Sequence, residues 1–198
     1  VGKHLRMTET NNNSDGIIVD GISKVANSNP RINRILSMLL DHFIMTLVIV
    51  PPMIILMILK ANGILEIGNG TFSVIFFFMM FIYLNKDFFN AKSPAKRILG
   101  YQVINRKTEK SASELQCFVR NLTIAVAWPL EVIVGLINPE RRIGDFLANT
   151  KVVVSEKEKL KTIWTDFKRK TLKLNLIGII IIGVIYFYGL SLLMPNMN

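Results

Sequence analysis

The stretch ILSMLLDHFIMTLVIVPPMIILMIL, residues 35–59, decides what kind of protein this is. Its 25 residues are apolar almost without interruption, broken only by Asp41, His42 and the Pro51-Pro52 pair. As a helix it reaches roughly 37 Å, enough to cross a hydrocarbon core of about 30 Å with some tilt. Proline lacks an amide hydrogen and clashes with the preceding turn, so a kink is expected at Pro51-Pro52. A soluble core rarely absorbs so long a run; lipid does.

The rest of the chain agrees. Of its 198 residues 51% are hydrophobic, yet the formal charge is +10 and the mean hydropathy is +0.39. That combination points to a membrane protein with basic flanks rather than to a charged soluble domain. The single cysteine, Cys117, excludes an internal disulfide, and two histidines exclude most histidine-cysteine metal sites, so neither metal nor cofactor is expected. A second apolar run, Phe72 to Leu84, is too short alone but spans if extended from Ile67 to Phe89, with Lys86 snorkelling to the interface. The last run, Leu174 to Met194, is uncharged, carries Tyr186 and Tyr188 as interfacial anchors, and offers Gly178, Gly183 and Gly189 as close-packing faces. A fourth, Leu122 to Ile137, contains Glu131 and is divided by Trp128-Pro129.

Charge counts set the sides. Residues 1–34 hold five Lys/Arg, residues 61–71 none, residues 85–121 eight and residues 138–173 ten. Basic residues accumulate on the cytoplasmic side, which places the N-terminus and the 85–121 loop inside and the Gly/Asn-rich loop outside. A crossing by 122–137 would put ten basic residues outside, against that rule. Tyr101 to Asn105 and Thr150 to Val154 read as short strands that need each other, and pairing requires both on one side. Residues 115–137 are therefore expected to form a broken helix that re-enters or lies along the inner surface. The expected fold is an α-helical membrane protein with three clear transmembrane helices, one broken re-entrant or interfacial helix and a small cytoplasmic two-stranded β element.

Four parts are expected: a flexible arm (1–30) without a signal peptide, a membrane domain (31–155), a basic amphipathic linker helix (156–173) and an additional C-terminal transmembrane helix (174–198). In the linker Leu160, Ile163, Trp164 and Phe167 share one face, which suits an anionic inner leaflet. The positive-inside pattern accounts for the charge without nucleic acid.

Asp41 is the most informative polar residue. It lies about two helical turns beyond Arg34 on nearly the same face, and a mid-helix aspartate costs on the order of 3 kcal/mol to insert, so it should face protein or water. His42 points about 100° away and need not share its role. Glu131, Arg120 and the Arg141-Arg142 pair also lie in or near the membrane. Asp145 follows a glycine, and its carboxylate is placed to cap a short helix or accept an arginine.

Arg34 with Asp41, and Asp145 within the R-x-G-D-x-L-A-x-T stretch Arg142 to Thr150, resemble the arginine and two aspartates that name the RDD membrane proteins. Ser93-Pro-Ala-Lys96-Arg97-Ile-Leu-Gly100-Tyr-Gln-Val is similar to that family's S-x-G-K-R-x-L-G-x-x-V stretch, with Pro94-Ala95 where a glycine is common. Arg120-Asn121-Leu122 is similar to its R-N-L. The resemblance covers about residues 31–155 and leaves the last span outside. It implies a transport role, cation/proton antiport having been suggested for some members, or that of an accessory membrane protein.

Two functions stay open from sequence. In the first, an inner-membrane transporter exchanges a proton for a cation or small solute at Asp41, with Arg34 tuning it and Glu131 as a second carboxylate. In the second, the chain is a non-catalytic accessory or regulatory subunit that meets a partner membrane protein, a second copy or anionic lipid through its glycine-rich span and basic surface. Beside both stands a purely structural reading: Arg34, Asp41, Asp145 and the 96–97 or 141–142 basic pairs form an ion-pair network that fixes one arrangement. An enzyme is not expected, because Ser93, Ser111 and Ser113 lack a histidine partner.

Overall fold

The structure, a computed structural model, describes residues 30–138, 140–169 and 174–192. The expected arm 1–30, apart from Pro30, and the tail 193–198 lie outside the described residues, as does the Arg34 side chain. Helix α1 (Pro30–Ala61) is 32 residues long and continues through Pro51 and Pro52, so two missing amide hydrogens do not end it. Only 6% of its most apolar window is buried, so its sides present Leu47, Ile55 and Met57 outward. A helix this apolar and this bare needs lipid around it.

Helix α2 (Asn69–Leu84) has 16 residues, shorter than the 67–89 span read from sequence. At roughly 24 Å it is a few ångströms shorter than a bilayer core, a mismatch that a crossing helix meets by local thinning of the bilayer. It stops because the Asn85 side chain and backbone turn back onto the Phe81 carbonyl, and the chain then turns through Asn90 and Ala91, both at φ 54°. Helix α3 (Pro94–Leu99) follows from its own letters. Ser93 caps it by accepting from the Lys96 amide, Pro94 fits the first turn, and Gly100 ends it at φ 77°.

Strands β1 (Tyr101–Asn105) and β2 (Thr150–Val154) pair antiparallel from Tyr101↔Val154 to Asn105↔Thr150, as their sequences require. Between them lies α4 (Glu114–Ile137), opened by a Ser113/Gln116 capping box and broken at Ala127, where φ is −129° and ψ is 32°, two residues before Pro129. Both ends of α4 return to the sheet. Ala112 donates to the Val103 carbonyl, and Val152 donates to the Glu140 carbonyl. The order Ala112, Val103, Val152, Glu140 spans three strand spacings, roughly 14 Å. A straight helix of 24 residues would separate its ends by about 36 Å. The expected broken, returning helix is what forms.

Short α5 (Ile143–Ala148) packs against α4 and ends at Asn149, φ 52°. Helix α6 (Lys161–Arg169) is the amphipathic element, beginning later than its sequence pattern at 156. Helix α7 (Leu174–Leu192) closes the bundle. Three helices, Ile35–Ala61, Glu114–Ile137 and Asn175–Leu192, are long and apolar enough to cross a membrane. Met45, Leu84, Phe118, Ile124, Ile179 and Phe187 form the core where α1, α2, α4 and α7 meet. Gly183 earns its place there: a Cβ would sit 2.9 Å from the Phe81 ring. Gly178 has Leu115 at ordinary contact, and Gly189 faces open space.

Candidate functional site

The polar residues of α1, α3, α4 and α5 converge where the helices meet the sheet. Asp41, 2% exposed, accepts from the Ser93 hydroxyl at 2.6 Å, the Ala95 amide at 3.1 Å and Lys96 Nζ at 3.0 Å. Lys96 also donates to Asp87 Oδ1 at 2.8 Å. The other Asp87 oxygen accepts from Arg120 and from Asn121, each at 3.1 Å. Arg120 Nε donates to Asp145 Oδ1 at 2.8 Å, which also takes the Thr150 hydroxyl. Asp145 Oδ2 caps the Arg142 amide. The Arg142 guanidinium donates to Asn121 Oδ1 at 3.0 Å, and its Nε lies 3.6 Å from Asp145 and 3.8 Å from Glu131.

The result is a chain of alternating charge, Asp41–Lys96–Asp87–Arg120–Asp145–Arg142–Glu131, every member nearly or wholly buried. In a low-dielectric interior each member depends on its neighbours, because removing one leaves a desolvated charge unpaired. Glu131 reaches the chain only because α4 breaks. A straight helix would carry it about 12 Å past Thr123, yet Glu131 Oε1 is in hydrogen-bond contact with the Thr123 hydroxyl and accepts from the Gly144 amide at 2.9 Å. Gly144 allows this approach, since a Cβ there would fall 1.8 Å from the Arg120 carbonyl oxygen.

Of the residues singled out from sequence, Asp41, Arg120, Glu131, Arg142 and Asp145 thus join one network. Asp145 both caps a helix and accepts an arginine. Asp41 takes Lys96 as its cation. Lys96 and its neighbour Arg97 part company: Arg97, 0% exposed, turns away to Glu158, Thr162 and Asp166 and ties α6 to the Phe89 carbonyl. Lys92 joins it on Glu158 at 2.6 Å. Burial raises the Glu158 carboxyl, but the hydrogen bond and charge of Lys92, with the charge of Arg97, outweigh it and hold the group below 4.5.

Sequence reasoning missed Asp87, the hub of the chain. It lies just past the apolar run, in a basic loop where an acid is ordinary. The only signal was its place between Lys86 and the Phe88-Phe89 pair, too apolar a setting for a free surface carboxylate.

His42 points elsewhere, as its 100° offset requires. Its Nδ1 lies 3.0 Å from the Tyr83 hydroxyl and its ring leans on Trp128, at the edge of an apolar cavity of about 540 Å³ between α1, α2 and α4. Among the described residues no group of His, Cys, Asp and Glu is placed to hold a metal ion.

The model of the RDD family matches residues 30–194, most of the chain. This chain belongs to the RDD family. The match runs past the 31–155 stretch that carries the motifs and takes in α7. No curated protein and no solved structure matched the chain. With three long apolar helices, this RDD chain is a multi-pass membrane protein. Of the arginine and two aspartates that name the family, Asp41 and Asp145 both lie in the buried charge chain, four links apart, while the side chain of Arg34 lies outside the described residues.

Proposed function

We propose that this RDD protein exchanges a proton for a cation or small solute across the membrane, with the buried charge chain as its working element. One observation carries the reading. The chain joins four carboxylates, Asp41, Asp87, Asp145 and Glu131, to three cations, Lys96, Arg120 and Arg142, and Lys86 faces Asp41 and Asp87 as a fourth. Ionisable groups gathered this deep among apolar helices are costly, and in membrane proteins they mark ion and proton paths. At its end the network is incompletely bonded, since Glu131 Oε2 and the Arg142 Nε facing it at 3.8 Å make no hydrogen bond. The break in α4 and the adjoining cavity supply the kind of irregular, partly open interior that intramembrane sites use.

In this reading the protein is not an enzyme and sits in a bacterial cytoplasmic membrane, with the N-terminus, the sheet and α6 on the cytoplasmic side. The charge counts favour that orientation. Trp164 and Phe167, exposed and stacked at 5.5 Å, would rest on anionic lipid, with Lys168 over the Trp164 ring.

A second reading has support of its own. Asp41 already accepts three hydrogen bonds, which suits a fixed clamp in an accessory subunit that works with a partner membrane protein or a second copy. Liposomes containing only the purified protein separate the two. Exchange activity that is reduced at least tenfold by Asp41→Asn supports the transporter; folded protein without flux above empty liposomes gives the accessory role.

A further inference from the structure

The apolar cavity between α1, α2 and α4 lies beside the charge chain and has one polar end. Its volume of about 540 Å³ falls within the range of small-molecule sites, about 300–1,000 Å³. Along α1 it runs from His42 to Met57, which at 1.5 Å per residue is roughly 22 Å. That is more than half of a hydrocarbon core of about 30 Å, so the space suits a long tail better than a compact molecule. Ile49, Met53 and Met57 of α1 face Phe76 and Met80 of α2 across it, and the small Ala125 of α4 keeps it open. No carboxylate lines it. His42, Tyr83 and Trp128 gather at the end nearer the charge chain.

The free polar groups at that end are donors. Tyr83 Oη meets His42 Nδ1 at 3.0 Å and has no other hydrogen-bond partner among the described residues, so it donates to the ring and leaves the ring hydrogen on Nε2. The Trp128 indole N–H, beside the His42 ring, has no acceptor among the described residues. Lys86, half-buried just past α2, lies over the Tyr83 ring at 4.9 Å and makes no hydrogen bond or ion pair among them. An exposed histidine on a membrane-spanning helix and N–H groups without acceptors are costly in hydrocarbon. Asp41 and Asp87, which Lys86 faces, do not relieve this, because both are buried and each of their oxygens is bonded elsewhere. What the polar end lacks is an acceptor-rich, anionic group.

We propose that this cavity is a binding site for one anionic phospholipid from the leaflet on the side of the charge chain. One acyl chain lies along α1, and the phosphate and ester oxygens are received by Lys86, Trp128 and His42. Those oxygens only accept, as the three donors require, and basic pockets between membrane helices take such head groups. A quinone also only accepts, but it brings no charge for Lys86. The site is separate from the lipid surface under α6, and it stands whether the protein is a transporter or an accessory subunit.

Native mass spectrometry and thermal unfolding of the delipidated full chain in detergent test this, with phosphatidylglycerol, phosphatidylcholine or inorganic phosphate added. One phosphatidylglycerol should bind per chain and raise the melting temperature by several degrees. Phosphatidylcholine should bind at least tenfold more weakly, and inorganic phosphate should not stabilise the protein. Lys86→Gln should bring phosphatidylglycerol down to the affinity of phosphatidylcholine. Ala125→Phe, which fills the cavity from an exposed position, should lose both lipids. If Ala125→Phe fails to fold, Lys86→Gln still decides. Equal binding of the two lipids by the wild type overturns the proposal, as does phosphatidylglycerol binding unchanged in Lys86→Gln or in folded Ala125→Phe. So does stabilisation by inorganic phosphate alone, or a quinone retained by the purified protein in place of phospholipid.

Discussion

Gly144 shows how much one missing methyl group decides. Its amide serves Glu131 while its Cα lies against the Arg120 carbonyl, at a distance no side chain tolerates. Gly144→Ala is expected to lift α5 from α4, separate Arg120 from Asp145 and cost about 3 kcal/mol, the upper end of the overpacking range. Thermal unfolding in detergent beside the wild type measures it; an unchanged melting temperature would mean that α5 is not seated as described. At this scale the sequence was partly legible. Charges within apolar runs mark themselves by their insertion cost, and so Asp41, Glu131 and Arg120 stood out. Their partners did not. Lys96 reaches Asp41 across 55 residues, and no local period encodes that distance. Asp87 stayed hidden because an acid next to lysine in a loop has an ordinary explanation that needs no burial.

Elements were easier to read where chemistry is local. Ser93-Pro94 and Gly100 frame a helix by capping and by positive φ, and the two strands predict each other because neither survives alone. The end of α2 was not legible: the Phe88-Phe89 pair prolongs the apolar pattern, yet the chain turns at Asn85 to bring Asp87 inward. Helix α6 was legible as amphipathic, but not how it is fastened. Arg97 and Lys92 hold Glu158, and Arg97 also holds Asp166. Because the Glu158 carboxyl is held below 4.5, it adds to this attachment above that value and ceases to as the pH falls through its lowered folded-state value. The docking of α6 should therefore be constant around neutral pH and weaken in acid, below about 4.5. Trp164 emission in a Trp128→Phe background reports it. In Glu158→Gln docking should be weaker at neutral pH, with the acid step diminished; an undiminished step would assign it to another group.

The whole molecule is an apolar belt above a charged seam. Val74, Phe78, Ile185 and Tyr188 face outward around it, while the sheet and the buried charges lie at one end. The strand pairing read from sequence anticipated this asymmetry, because Tyr101–Asn105 and Thr150–Val154 can pair only if both lie at one end. The central claim is that the chain between β1 and β2 enters and comes back to the side it left. Cysteine labelling with an impermeant thiol reagent, in intact cells and in inverted vesicles, tests it most directly. In a Cys117→Ser background, single Lys107→Cys, Glu140→Cys and Thr165→Cys variants should all react only in inverted vesicles, and Asn62→Cys only in intact cells. Reaction of Glu140→Cys from the side opposite to Lys107→Cys would make α4 a full crossing and contradict the account.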